Sequence, residues 1–280
     1  MTTRKQSTKS SAKAFCALGL FVLCAFQINP ARAERKVVFP KTPQPIGTAI
    51  THPLNVELPL RMIGQAFGTI PVPDGQALYL IATPEGMKYF DSLSALKPGD
   101  IQHLRLHDVN ITESNLKTIG KMSGLTALDL SYSDVNDSAI KYIAQVKSLK
   151  HLDLSSTLVR GMTLNKLKEL NNLHHLDMAN TKIHDFVVNT IVESCPNLRR
   201  LNLTGTLITD DAILKLQKLG HLRRLNLAKT AVTDKHIDKL LKLKELQKLS
   251  LSHTQVSQRK LSELRRAKPG CKIVLKETDD

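Results

Sequence analysis

The chain has 280 residues and carries 40 Lys and Arg against 25 Asp and Glu, a formal charge of +15 at pH 7. A surplus of that size favours anionic partners such as acidic proteins, envelope polymers or lipid head groups over neutral ones. Four cysteines show no disulfide-framework or zinc-ligand spacing, and 4% aromatic residues with no tryptophan put carbohydrate recognition below an acidic protein or polymer.

Residues 1–33 read as a secretory signal peptide. Arg4, Lys5, Lys9 and Lys13 precede an apolar run from Ala14 to Phe26, and Ala31-Arg32-Ala33 offers small residues where a signal peptidase reads, so cleavage is expected before Glu34. The run is shorter than the about 20 residues of a spanning helix. A lipid-attached or uncleaved anchor is the rival, since Cys24 lies in the run, but Leu23 stands where a small residue is expected. Cleavage lowers the formal charge from +15 to +10, because residues 1–33 hold five basic residues and no acidic one. The expected product is periplasmic, envelope-associated or extracellular, with no transmembrane segment. Export makes nucleic acid an unexpected partner.

Residues 34–75 hold Pro40, Pro43, Pro45, Pro53, Pro59, Pro71 and Pro73 without sustained periodicity, which predicts an extended linker or surface-hugging arm. Its apolar stretch Val56-Glu57-Leu58-Pro59-Leu60 is a candidate contact element. Residues 76–100 read as a degenerate strand and helix, with Leu80 one period before Leu104, and are expected to form an N-terminal cap that shields the core.

From residue 101 one skeleton recurs about every 24 residues. Leu104, Leu128, Leu152 and Leu176 step by 24, a step of 25 reaches Leu201, and further steps of 24 give Leu225, Leu249 and Ile273. Such a period predicts a solenoid. Within each unit leucines alternate with polar residues, so each run is a short half-buried strand. Ile111, Val135, Val159, Ile183, Ile208, Val232 and Val256 then plug the turn into the core. Pairs at helical spacing follow, from Leu116 and Ile119 through to Leu261 and Leu264, each marking one buried helix edge. Helix starts are signalled by Thr209-Asp210 and Thr233-Asp234, with variants Thr112-Glu113, Asn136-Asp137 and His184-Asp185. Arg160-Gly161 breaks that rule and predicts a less regular return in its repeat. Cys195 and Cys271 are separated by three repeats of about 5 Å each, beyond a disulfide's reach, so two unpaired thiols are expected.

Across residues 101–280 the chain resembles the leucine-rich repeat family. Most units resemble the bacterial 24-residue type, with Thr157, Thr181, Thr206, Thr230 and Thr254 where many members have Asn or Cys; a hydroxyl can hydrogen-bond the turn in its place. Cys195-Pro196-Asn197-Leu198 running on to Ile208-Thr209-Asp210 is similar to the cysteine-containing subtype of F-box receptors, but no F-box-like segment is present. The resemblance implies an α/β fold: a curved right-handed horseshoe with a parallel sheet on its concave side and helices on its convex side.

The polar residues between leucines would then form two columns on the concave face. The first reads His103, Ala127, His151, His175, Arg200, Arg224, Lys248 and Lys272, and the second Arg105, Asp129, Asp153, Asp177, Asn202, Asn226, Ser250 and Val274. The expected binding residues are His151, Asp153, His175, Asp177, Arg200, Asn202, Arg224, Asn226, Lys248 and Lys272. The basic end, with its Arg forks, suits an acidic protein or anionic polymer. A structural or envelope scaffold using the Pro-rich arm is the alternative. A metal or hydrolytic site at His151, Asp153, His175 and Asp177 is a remote one, because alternate strand residues lie about 6.6 Å apart while a triad needs contacts of about 3 Å. The stacked histidines are expected to titrate near neutrality. No Gly-x-Ser-x-Gly elbow, phosphate loop or nucleotide fingerprint occurs, so neither enzyme activity nor a cofactor is expected. A monomer is expected.

Overall fold

The computed structural model describes residues 34–53 and 61–275; the expected signal peptide and the stretch from Val56 to Leu60 lie outside them. Nine strands lie parallel in sequence order: β5 (Gln76–Ala82), β6 (His103–Arg105), β7 (Ala127–Asp129), β8 (His151–Asp153), β9 (His175–Asp177), β10 (Arg200–Asn202), β11 (Arg224–Asn226), β12 (Lys248–Ser250) and β13 (Lys272–Val274). Parallel neighbours need a long crossover, and each 24-residue unit supplies one. The middle residue of β6 through β12 is a leucine no more than 3% exposed, from Leu104 to Leu249, while its two neighbours face the open side.

The returns carry the helical segments. They are α1 (Glu113–Gly120), α2 (Ile140–Ile143), α3 (Asp185–Ser194), α4 (Asp210–Leu216) and α5 (Gln258–Ala267), with 3-10 turns at Leu164–Glu169 and Ile237–Lys242. All the helical pairs expected from the spacing are buried, as are the branched residues after each strand. Thr112, Asn136 and Thr209 cap their segments through side-chain oxygens, whereas His184 makes no such bond. The cap aspartates also reach forward. Asp185 accepts both the amide and the hydroxyl of Thr209 at 2.7 Å, and Asp210 and Asp234 do the same for Thr233 and Ser257.

The segment after Arg160-Gly161 is a 3-10 turn, as the missing cap pair predicts. Gly161 has φ +91, and a Cβ there would lie 2.2 Å from Cγ1 of Val187. Gly161→Ala is expected to destabilise the fold by about 2 kcal/mol, from overpacking and a left-handed backbone combined. An unchanged denaturant midpoint would contradict that.

A second regularity was invisible in the leucine pattern. Asp108, Tyr132, Ser156, Asn180, Gly205, Lys229 and His253 all take positive φ, from 54 to 64°, each two residues beyond the buried Leu or Met that follows its strand (Leu106, Leu130, Leu154, Met178, Leu203, Leu227 and Leu251). The five turns from Tyr132 to Lys229 are each held twice. The amide of the left-handed residue donates to the next repeat, as in Ser156 to the Ala179 carbonyl at 2.8 Å and Asn180 to that of Thr204 at 2.7 Å. The hydroxyls of Thr157, Thr206, Thr230 and Thr254 then donate to carbonyls three residues back at 2.6–2.7 Å, as the threonine column suggested.

The stretch expected as a linker or arm is mostly strand structure in its described parts, with an irregular connection at 39–46. β2 (Gly47–Pro53) pairs antiparallel with β5 and with β3 (Arg61–Gln65), extending the main sheet, while β1 (Glu34–Val38) pairs antiparallel with β4 (Thr69–Pro73). Pro53, Pro71 and Pro73 misled because they sit at a strand end or on a two-stranded ribbon, where a missing N–H breaks no central ladder. Val37, Phe39, Ile46, Ile70 and Val72 are buried in the same core as the first leucines, with Phe90 beside them. Arg35 ties β1 to the first repeat, donating to the Asp100 carbonyl at 3.0 Å and to Oε1 of Gln102 at 2.9 Å. Cys195 and Cys271 are free and buried. Burial pushes the Cys195 thiol up to about 12, so it is inert near neutral pH. Among the described residues no helix is long and apolar enough to cross a membrane.

Candidate functional site

Strand register sets the site. Tyr79, His103, Ala127, His151, His175, Arg200, Arg224, Lys248 and Lys272 face one another in sequence across the parallel sheet. Asp129, Asp153, Asp177, Asn202, Asn226 and Ser250 form the second column, again strand to strand. A groove of about 410 Å³ runs along both, lined from Tyr79 to Ser250. Every expected binding residue but Lys272 lines it; Lys272 lies beyond, opposite Lys248.

The second column has a structural task that the alternation alone did not reveal. Oδ1 of Asp153 accepts from the amide of Ser155 at 2.8 Å and from its hydroxyl at 2.6 Å. Asp129 holds Ser131 in the same way, Asn202 holds Thr204, and Asp177 and Asn226 accept the amides of Ala179 and Ala228. These are Asx turns that bend the chain out of each strand. The signal was an Asp or Asn two places before Ser, Thr or Ala in successive repeats. Asp129 is also paired with Arg105 at 3.1 Å, and Asp177 accepts Nδ2 of Asn202 at 2.8 Å. Tyr79, from outside the repeats, also enters the groove, its ring 5.4 Å from that of His103.

His151 and His175 stack face to face, with centroids 4.1 Å apart and planes 10° apart. Ring lone pairs lie in the ring plane, so stacked imidazoles do not converge on one ion. Among the described residues no group of three or more His, Cys, Asp or Glu is placed to hold a metal. For a hydrolytic site the hydroxyl nearest Asp153 in sequence is Ser155, and it meets Asp153 instead of an imidazole, so no nucleophile and base are in contact there.

Titration near neutrality, expected for the histidines, is corrected by burial. Desolvation first, then the nearby positive charges of His151, Arg200, His174 and Arg224, push His175 down to about 3. Desolvation and the His52 and His151 rings push His103 down to about 4. Asp177 moves the other way, up to about 6, chiefly through burial, and Asp153 is also raised. Imidazoles depressed in the fold bind fewer protons than in the unfolded chain, so their contribution is whole above about pH 6.5 and is lost as pH falls towards 4 and 3. Asp177 opposes this, because its folded form binds the proton more readily between about 6 and 3.8. With two strongly depressed histidines against one strongly raised carboxyl, the thermal midpoint is expected to fall from pH 6.5 to 4. Replacing His103 and His175 with Asn should remove most of that fall; an equally steep fall in the variant would exclude these rings as its source.

Strand, capped turn and helical return, stacked in register with an open grooved face, define a β/α solenoid. The Leucine Rich repeat family matches residues 123–144 and 194–216. Among solved structures, an internalin (InlF) from Listeria monocytogenes is similar at 20% identity and TM-score 0.53, covering 68% of this chain, which spans about half (51%) of that one. Internalin C2 (InlC2) of the same species is similar at 24% identity and TM-score 0.53, over 71% of this chain and 80% of its own. No curated protein matches the chain in sequence. The chain has the leucine-rich repeat fold, and two of its repeats match the family itself.

Proposed function

We propose that the chain is an exported, non-enzymatic recognition module that binds an acidic protein or anionic polymer through the basic end of its groove. The observation that carries this is the register of Arg200, Arg224 and Lys248, which continues to Lys272. At about 4.8 Å between strands these cations form a ladder across four repeats, and two of its rungs are forks that suit carboxylates. His151, Asp153, His175, Asp177, Asn202 and Asn226 form the rest of the contact surface. Residues 1–33 act as the signal peptide, and cleavage before Glu34 would keep the described strand Glu34–Val38 in the product.

Charge reversal tests the groove. Arg200→Glu with Arg224→Glu is expected to weaken retention on immobilised polyglutamate by about 100-fold, since charge-assisted hydrogen bonds contribute about 1.5–3 kcal/mol each. Equal retention of both proteins, vanishing together in salt, would mean diffuse attraction and defeat the proposal. Export is tested separately: the protein recovered outside the cytoplasm should begin at Glu34.

A further inference from the structure

We infer that the groove is bipolar and takes an extended polypeptide carrying both charges, with a lysine or arginine over Asp153 and Asp177 and an acidic residue held by Arg200 and Arg224. This rests on the groove being the binding face, and it names the chemistry of the ligand.

The groove runs without interruption from the acidic strands to the basic ones, and the charges are segregated along it. Carboxylates stand in β7, β8 and β9, while β10 to β13 present Arg and Lys in the facing column. A uniform polyanion laid along the whole groove would meet Asp153 and Asp177 with like charge. A dipolar segment meets opposite charge at both ends. The neutral, stacked rings of His151 and His175 beside the carboxylates add no positive charge to repel a cation there.

The acidic half has no structural need of its charge. Asn202 and Asn226 make the same turn in the next two repeats, with Oδ1 accepting the amide two residues on at 3.1 and 3.0 Å. Asn would therefore serve the turn at 153 and 177, giving up at 177 only the bond that Oδ2 accepts from Asn202. A carboxylate there is instead penalised by burial and by its acidic neighbours, Asp129 and Asp153 acting on Asp177, and Asp129 on Asp153. Of the basic groups near them, Arg105 is engaged with Asp129, and the imidazoles of His107, His151 and His175 lie alongside. A ligand cation would relieve that penalty. Fold stability lost to retained charge is the pattern of a functional surface.

Geometry sets the spacing. Asp153 to Arg200, and Asp177 to Arg224, are each two strands apart, about 10 Å, and one column over, about 6.6 Å along the strand, so about 12 Å in all, the reach of about three to four extended residues. The ligand motif is therefore a basic residue about three to four positions from an acidic one.

The test uses capped peptides with a lysine three positions from a Glu-Glu pair, in both orders, against the same peptides with alanine for lysine. Binding to the protein is followed by calorimetry at pH 7.5 and low salt. The lysine peptide in one order should bind about five- to tenfold more tightly than its alanine counterpart. Asp153→Asn with Asp177→Asn should bring the ratio of lysine-peptide to alanine-peptide affinity down to about one, whatever the affinity of each, with a single cooperative melting transition showing the fold intact. If the acidic peptides bind in an Arg200- and Arg224-dependent way but lysine adds nothing, or if its gain survives in the Asn variant, the bipolar groove is wrong while the basic-end reading stands. If no peptide binds, or if polyglutamate of equal length binds more tightly than either dipolar peptide, the bipolar reading also fails; in the first case the basic-end reading falls with it.

Discussion

Leu201→Asp is expected to unfold several repeats at once, lowering stability by more than about 4 kcal/mol. Leu201 is 2% exposed at the centre of β10, and its backbone faces Leu176 on one side and Leu225 on the other. A carboxylate there has no partner in an aliphatic layer. Each repeat is too small to hold a core alone, so its neighbours lose the surface that shields them. Hydrogen exchange should rise together in β9, β10 and β11, with a smaller rise for Leu201→Ala, which costs about 2–5 kcal/mol through its cavity alone. Exchange confined to β10 would show that the repeats are energetically independent.

Gly86→Ala should damage the fold strongly for a single methyl. An added Cβ would lie 2.0 Å from the Ile46 carbonyl oxygen and 2.4 Å from its carbon, and backbone cannot yield as a side-chain end can. The same carbonyl accepts the Thr83 amide at 3.1 Å, and the Ile46 side chain is fully buried. Displacing it pulls the start of β2 from β5 and opens the core at that edge. A loss of about 3 kcal/mol, or roughly 6–12 °C in the melting midpoint, is expected, with new protease cleavage between residues 39 and 47. A midpoint within 2 °C of the native value, with no new cleavage, would mean that β2 is not part of the cooperative unit.

The repeats were legible because their signal is redundant. A leucine missed in one unit is supplied by the same column in the next, and the period alone predicts the sheet. The left-handed turn was not legible, since Asp108, Tyr132, Ser156, Lys229 and His253 are not the glycines that announce positive φ. Inter-repeat amide bonds hold all of these but His253 there, and that force appears in no single unit. The strands before residue 76 failed for the opposite reason. Their pairing is antiparallel and occurs once, and prolines such as Pro71 and Pro73 resemble a linker's. For the candidate site, alternation was enough to place the columns, from His151 and Asp153 to Lys248. What the residues do inside the groove was hidden, because the neutral state of His175 and the raised carboxyl of Asp177 come from burial that only stacked strands create.

The aspartates that reach from one return to the Thr or Ser of the next give each unit a direction. Asp185 to Thr209, Asp210 to Thr233 and Asp234 to Ser257 are one contact made three times. A unit that offers an acceptor on its leading side and a donor on its trailing side is complementary to a translated copy of itself. Tandem duplication of one such module therefore creates no foreign junction, and the array lengthens by copying, with each added unit bringing one more pair of rungs to the groove.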